Sequence, residues 1–542
     1  MMFIDLKEQD TPSPIRTDLC IVGSGPAGTT IAREFAGSAL QVLIVESGGW
    51  EETPANQALY DVENAGVARA TPQNLVRNRV IGGSSHTWSG RCISFDDVDF
   101  ENRAWIPHSG WPISLKDVRP FLDRSRKYLG IGPNIYQNEL WSELRIAPPH
   151  PEFDPFYLKS QFWQYSKDEG NPQEPARFSR MLSGINASNV RCLIHANVTQ
   201  INTNRDVTQA TSLEVRSLDG QRAEVKASVF VLACGGLENA RLLLASNRIR
   251  QQGLGNSHDL VGRFLMDHPG CELGWFDPRH GGLIQKRFGY YLLDHEGGRN
   301  VYSCGLALST DIQRKERLLN CAGFLYENFS VDQSWGALKR IANRLMDGIG
   351  KRDSQRLDRK DVSLVMADLP KLMGNAYRRI ARGQGAILRI EGLTLYCLTE
   401  QVPDPSSRVT LAQKTDALGM PLLRVDWRIG ELERRSVARL SELIQSELRR
   451  TGLPGFSENP VWRSQFIDRA HPSGTTRMAL SPTQGVVDRN CCVHGLAGLY
   501  IAGSSVFPTA GHGNPTLMIV ALAIRLADWL KQHHFAQHAK ST

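Results

Sequence analysis

Short apolar runs, each followed by a glycine-rich turn and a helical stretch, recur along the chain. Leu19 to Val22 are consecutive apolar positions, the pattern of a strand buried on both faces. A turn follows, then a helical stretch to Phe35 and a second strand from Gln41 to Val45. "VFVLACGGLENARLLLAS" (Val229 to Ser246) repeats the order strand, Gly-Gly turn, helix. "LYIAGSSVFPTAGHGNPTLMIVALAIRLADWL" (Leu499 to Leu530) repeats it again, with a Gly/Ser/Pro loop. Alternation of this kind predicts an α/β fold. Between Gly336 and Arg382 the pattern is helical instead. Leu338, Ile341 and Leu345, then Leu369, Leu372, Met373, Tyr377 and Ile380, predict two amphipathic helices. No run reaches the roughly 18 apolar residues of a transmembrane helix.

At 542 residues the chain exceeds one ordinary core, so two domains are expected, with interleaving allowed. Its 41% hydrophobic and 22% charged residues suit a soluble globular protein. The start, "MMFIDLKEQDTPSP", lacks the basic-then-apolar order of a signal peptide, which predicts a cytoplasmic protein. Ten cysteines occur without CxxC or CxxCH, against a zinc ribbon, a thioredoxin pair or covalent c-type haem. The adjacent Cys491 and Cys492 read as two buried thiols on opposite faces of a strand. Charge sharpens the view of the helical stretch. Residues 336–382 hold 12 Lys/Arg against 5 Asp, an excess of +7 that equals the whole chain's net charge. These helices are either a solvated cover over a second domain or a contact for an anionic surface or partner protein. No nucleic-acid motif accompanies the charge, so nucleic acid is not an expected partner.

The first strand runs directly into Gly23-x-Gly25-x-x-Gly28, and the second ends at Glu46, 18 residues after Gly28. Gly23 permits the tight turn, Gly25 the approach of a pyrophosphate, and Gly28 close packing of helix on strand. The helix N-terminus favours negative charge and Glu46 can accept from a ribose hydroxyl. A dinucleotide site is expected here. FAD fits better than NAD, because pieces of one nucleotide domain come from both ends of the chain. "RVIGGSSHTWSGRC" (Arg79 to Cys92) is a glycine-serine loop able to run along an isoalloxazine and its ribityl chain.

Together these stretches resemble the glucose–methanol–choline (GMC) oxidoreductases, over most of the chain. "GNSHDLVGRFLMDHPG" (Gly255 to Gly270) and "EQVPDPSSRVTL" (Glu400 to Leu411) also look like the family. The likeness leans toward the bacterial branch with pyranose oxidases, glycoside 3-oxidases and sugar-acid dehydrogenases. It implies a Rossmann-like FAD domain and a substrate domain on a mostly antiparallel sheet. The expected division is 1–282 for FAD, 283–449 for substrate with the basic helices 336–382 inserted, and 450–542 returning to FAD. The resemblance implies FAD contacts from Gly23, Gly25, Ala27, Gly28, Glu46 and Ser47. It implies further contacts from Gly83, Ser84, Ser85, Thr87, Trp88 and Val198, and from Gly503, Ser504, Asn514, Pro515 and Thr516.

In the same family terms, the histidine of "HPSGTTRM", His471, lies beside the flavin, and its partner 43 residues later is Asn514. Oxidising a carbinol sends a hydride to flavin N5 and a proton to a base, a role His471 suits. Asn514 would hold the substrate hydroxyl. Pro515 and Thr516 begin a helix whose N-terminus favours negative charge on reduced flavin. His512 is the alternative base. Pyranose oxidases often link FAD to a histidine immediately before the tryptophan of the glycine-serine loop. Here Thr87 holds that place and His86 is one residue earlier, so non-covalent FAD is expected. Many members carry an acidic residue where Gly503 stands. His195, His268 and His494 read as plain structural histidines, and no metal site is expected.

The expected reaction is FAD-dependent oxidation of a sugar or glycoside hydroxyl, as an oxidase or as a dehydrogenase. Oxygen, or a quinone or cytochrome acceptor, would take the electrons, and the basic helices offer a docking surface. The alternatives are the same chemistry on a sterol, terpenoid or other bulky alcohol, a structural flavoprotein, and an NAD-dependent dehydrogenase.

Overall fold

A computed structural model describes residues 1–8, 14–69, 72–296, 298–329, 334–347, 358–384, 386–388 and 390–536. The first apolar runs form one six-stranded parallel sheet. Its spatial order is Met2–Asp5, Val190–Ile194, Val42–Val45, Leu19–Val22, Val229–Leu232, Leu499–Ile501. The four central strands are uninterrupted Val, Leu, Ile, Phe and Cys, with Leu19–Val22, Val42–Val45 and Val229–Leu232 buried throughout. Helices Pro26–Phe35 and Thr516–Trp529 pack against each other over this sheet. Each fully buried Leu, Ile or Phe here contributes about 1.5–3 kcal/mol relative to exposure.

An eight-stranded antiparallel sheet forms a second body with its own core around Phe162, Leu273, Tyr302 and Ile444. Its main path runs Phe456–Glu458, Gly270–Phe276, Ile390–Thr399, Cys321–Phe329, Gly298–Leu308, Leu158–Tyr165, Arg91–Cys92. The sheet therefore draws strands from well outside residues 283–449. Conversely, Arg408–Thr415 and Pro421–Asp426 leave it and join Val62–Asn64 in a separate three-stranded sheet. Interleaving is deeper than the three-part division expected from sequence.

The basic insertion has three described helices rather than two: Ser334–Asp347, Arg359–Ala367 and Leu369–Ala381. Asp358 caps the additional helix by accepting from the Lys360 N–H. In the last helix Leu372 and Asn375 face inward, while Leu369, Met373, Tyr377 and Ile380 are exposed. Cys491 and Cys492 lie in a turn rather than a strand, with Cys491 at φ +65°. No described helix is long and apolar enough to cross a membrane.

Candidate active site

A cavity of about 500 Å³ opens at the carboxyl ends of the parallel strands, where α/β sheets place their ligands. The end of the first strand explains its shape. At Gly23 (φ +100°) an added Cβ would lie 2.7 Å from the Ala233 carbonyl oxygen. At Gly28 it would lie 1.9 Å from the Gly23 carbonyl oxygen, so helix Pro26–Phe35 sits directly on the turn. At Gly25 it would meet nothing within 4 Å and would project into free space. No side chain caps that helix at Gly25, which leaves its first N–H groups for a ligand. Glu46 is fixed beside them: Oε2 accepts from the Ser24 N–H (2.8 Å) and hydroxyl (2.7 Å), Oε1 from the Gly48 N–H (2.8 Å). A ribose hydroxyl would take the place of the Ser24 or Ser47 hydroxyl, both of which rotate freely.

Gly23, Gly25, Glu46 and Ser47 border the cavity, as do Gly83, Ser84, Ser85, Thr87 and Trp88 of the glycine-serine loop. Val198, Ser504, Asn514, Pro515 and Thr516 border it too. Ala27, Gly28 and Gly503 lie behind that lining and shape the backbone; Gly503 stands at φ +110°. His86 does not border the cavity, and its Nε2 is 2.9 Å from the Ile81 carbonyl oxygen. Four charged residues the sequence did not single out line one wall. Glu238 pairs with Arg77 (2.9 Å), Arg79 (2.9 Å) and Arg241 (3.2 Å). Burial alone would raise its pKa, but the three guanidiniums hold it at about 2.

At the opposite end, His471 borders the cavity on a loop with an unusual backbone: Ala470 sits at φ +58°. Such a conformation costs about 1–2 kcal/mol for a residue with a Cβ. The buried Asp267 carboxylate offsets it by accepting from the Arg469 N–H (3.0 Å) and the His471 N–H (3.0 and 3.1 Å). Arg69 pairs with Asp267 (2.5 Å) and Asp468 (3.0 Å) behind the loop.

His471 has a ring partner that was read from sequence as a plain linker histidine. His268 Nδ1 lies 2.9 Å from His471 Nδ1, and His268 Nε2 lies 3.2 Å from the Ala510 carbonyl oxygen. A carbonyl only accepts, so His268 carries its proton on Nε2. Its bare Nδ1 then accepts from His471 Nδ1–H. The network thereby assigns a lone pair to His471 Nε2, the remaining nitrogen. Burial keeps both rings neutral. It lowers His268, against the pull of Asp267. It lowers His471 to about 3, helped by His268, Arg469 and Arg69 and opposed by Asp267. The signal that sequence reading passed over is a second His-Pro pair, His268-Pro269, matching His471-Pro472.

Asn514 sits at the start of helix Thr516–Trp529 with its Oδ1 buried and unpartnered, so Nδ2 is the end that meets the cavity. His512 does not border the cavity. It is 3% exposed, both ring nitrogens lack described partners, and burial lowers it to about 4. His494 Nε2 lies 3.1 Å from the Ala479 carbonyl oxygen, and His195 pairs with Asp5 at 2.9 Å; both are structural. Among the described residues no group of three His, Cys, Asp or Glu is placed to hold a metal ion.

Comparison with known proteins decides what this arrangement belongs to. Two GMC oxidoreductase family models match, at residues 168–270 and 403–523. The chain belongs to the GMC oxidoreductases. These enzymes use FAD and act on CH–OH donors. Fructose dehydrogenase large subunit from Gluconobacter japonicus is 22% identical, over 95% of this chain and 97% of that protein. 2-Methyl-1,2-propanediol dehydrogenase from Mycolicibacterium austroafricanum is 24% identical, over 96% of each. The crystal structure of formate oxidase superposes with a TM-score of 0.59 at 18% identity, covering 97% of this chain and all of that one. The GMC fold accounts for the parallel sheet, the antiparallel sheet and the cavity between them. The glycine cradle at Gly25, the uncapped helix start and the unpartnered Asn514 amide all fit FAD.

Proposed function

We propose that this GMC oxidoreductase oxidises a ring hydroxyl of a sugar or glycoside to a ketone, with His471 Nε2 as the proton acceptor. The hydrogen-bond chain from Ala510 through His268 to His471 carries the reading, because it presents a bare imidazole nitrogen to the cavity. A sugar-named relative matching nearly the full length supports the substrate class. Bound FAD supplies the hydride acceptor. The chain's own groups do the rest. Asn514 Nδ2–H donates to the hydroxyl oxygen while His471 Nε2 accepts the hydroxyl proton, so the C–H bond is held in one orientation. The proton goes onto a ring that burial disfavours as a cation. Asp267, 3.0 Å from the His471 backbone nitrogen, supplies the compensating negative charge. The N-terminus of helix Thr516–Trp529 faces the same space and favours anionic charge there.

The FAD contacts follow the cavity lining: Gly23, Gly25, Glu46 and Ser47 for the nucleotide, Gly83 to Trp88 for the ring system, Asn514 to Thr516 beside it. Its attachment is non-covalent, because the His86 ring is engaged by Ile81 away from the cavity. His471→Ala tests the central role. Flavin should stay bound while substrate reduces it at least about 100-fold more slowly, the scale of a lost general base. An unchanged rate would remove His471 from the mechanism.

The electron acceptor docks at or near an anionic membrane surface in this reading. Residues 359–382 carry six basic and two acidic residues. Val362, Met366, Leu369, Met373, Tyr377 and Ile380 are 38–79% exposed on the same two helices. Apolar exposure beside net positive charge suits an anionic lipid interface better than open water.

A further inference from the structure

Two arginines line the catalytic end of the cavity with nothing to balance them. Arg91 and Arg469 both border the cavity that His471 borders. Neither side chain has an ion pair or donates a hydrogen bond among the described residues. Arg91 Nε, Arg469 Nε and one terminal Arg469 nitrogen are buried without a partner. Other buried or half-buried arginines are treated differently: Arg103 pairs with Glu400, Arg241 with Asp416 at 2.7 Å, Arg69 with Asp267 at 2.5 Å.

Aromatic rings hold both cations in place. The Arg91 guanidinium lies 4.2 Å from the Phe324 ring centroid and the Arg469 guanidinium 5.0 Å from that of Tyr396. Phe324 and Tyr396 are register partners on adjacent strands and stack at 6.0 Å, 19° between planes. The order Arg91, Phe324, Tyr396, Arg469 is therefore one continuous array on the sheet facing the cavity. Ring contacts of this kind contribute about 0.5–2 kcal/mol each and leave the N–H fork free. Carboxylates on the same strands do not neutralise it. Glu272 accepts from the Tyr396 hydroxyl. Burial raises Glu327 to about 7, so half of it is uncharged at neutral pH.

We propose that Arg91 and Arg469 form a carboxylate-binding subsite, and that the substrate is an acidic sugar carrying its carboxylate away from the oxidised carbon. This rests on the CH–OH oxidation proposed above and narrows its substrate class. Two unpaired guanidiniums are costly until an anion arrives. A carboxylate would meet them through short charge-assisted bonds that a neutral hydroxymethyl group does not replace.

The test compares D-glucuronate and D-gluconate with D-glucose on the holoenzyme without oxygen, reading both reduction of the flavin band and the apparent Kd. A second readout, free of turnover, is the perturbation of the oxidised flavin spectrum by each compound before reduction. The carboxylates should bind at least about 10-fold tighter than glucose. Arg91→Gln and Arg469→Gln should each weaken carboxylate binding about 10–100-fold, matching the loss of a charged hydrogen bond, and leave glucose within about 2-fold. Arg469→Lys, which keeps the charge, should recover part of the loss. Glucose reducing the flavin as well as the carboxylates do, in wild type and variants alike, overturns the subsite and leaves the sugar-oxidation reading intact. Arginine-dependent carboxylate binding without reduction by any of the three supports the subsite and counts against sugar oxidation. No binding and no reduction overturns both.

Discussion

His471 and His268 are 203 positions apart in sequence and share one hydrogen bond, and that bond sets which nitrogen of His471 is basic. His268→Leu removes the acceptor without removing volume. The His471 ring then loses its fixed orientation, and flavin reduction should slow by about 100-fold, the usual effect of a misplaced catalytic group. His268→Asn, which keeps an acceptor, should recover part of that rate. Equal rates in Leu and wild type would show that the pair does not position the base. The pH dependence follows from the same geometry. A histidine lowered to about 3 binds its proton only in strong acid. So kcat/KM, which reports the free enzyme, should show no acid inflection near the ordinary imidazole value of about 6.5. An inflection there that vanishes in His471→Ala would contradict the buried, neutral ring. At this scale the sequence revealed His471 and Asn514, because both sit in turns with recognisable flanks. It hid His268, Arg91 and Arg469, because pairing and lack of pairing are properties of three-dimensional neighbours.

Elements bring those residues together through close contacts that leave no room for substitution. Helix Gly235–Ala245 begins at a point where a Cβ on Gly236 would lie 2.0 Å from the Pro472 carbonyl oxygen. Gly236→Ala should displace the His-Pro loop and lower the reduction rate, with FAD retained and the visible spectrum little changed. Loss of FAD together with rate would place the helix in cofactor binding instead. The exposed stripe on Arg359–Ala367 and Leu369–Ala381 makes a separate prediction. The protein should co-sediment with vesicles containing phosphatidylglycerol at low salt, and Met373→Glu with Ile380→Glu should abolish this without affecting reduction by soluble donor. Wild-type protein that ignores such vesicles would exclude the surface role. The long apolar strands were legible because a run buried on both faces has a distinct composition. Arg91–Cys92, a two-residue strand, has no such signature, yet it carries one of the two free arginines. The third insertion helix, Arg359–Ala367, was missed because its polar residues mask the helical period.

Across the whole molecule, one body supplies the glycine cradle and the other the antiparallel wall, with segments crossing between them several times. Strand Leu499–Ile501 completes the parallel sheet almost at the end of the chain, and Asn514 follows from it directly. Strand Gly270–Phe276 opens the antiparallel sheet immediately after His268. The two histidines meet only because both bodies are assembled, so flavin binding and base positioning should be lost together on unfolding. The interleaving was foreseen in kind from the matching pieces at both ends of the chain. Its extent was not, since which strands pair across hundreds of residues depends on register rather than on local pattern. The measurement that bears most directly on the account is the anaerobic visible spectrum of purified protein and of His471→Ala, before and after addition of neutral and acidic sugars. The account predicts an oxidised flavin band in both, bleached quickly in wild type and at least about 100-fold more slowly in the variant. A wild-type flavin band that no sugar bleaches, or one that bleaches equally fast without His471, would contradict it.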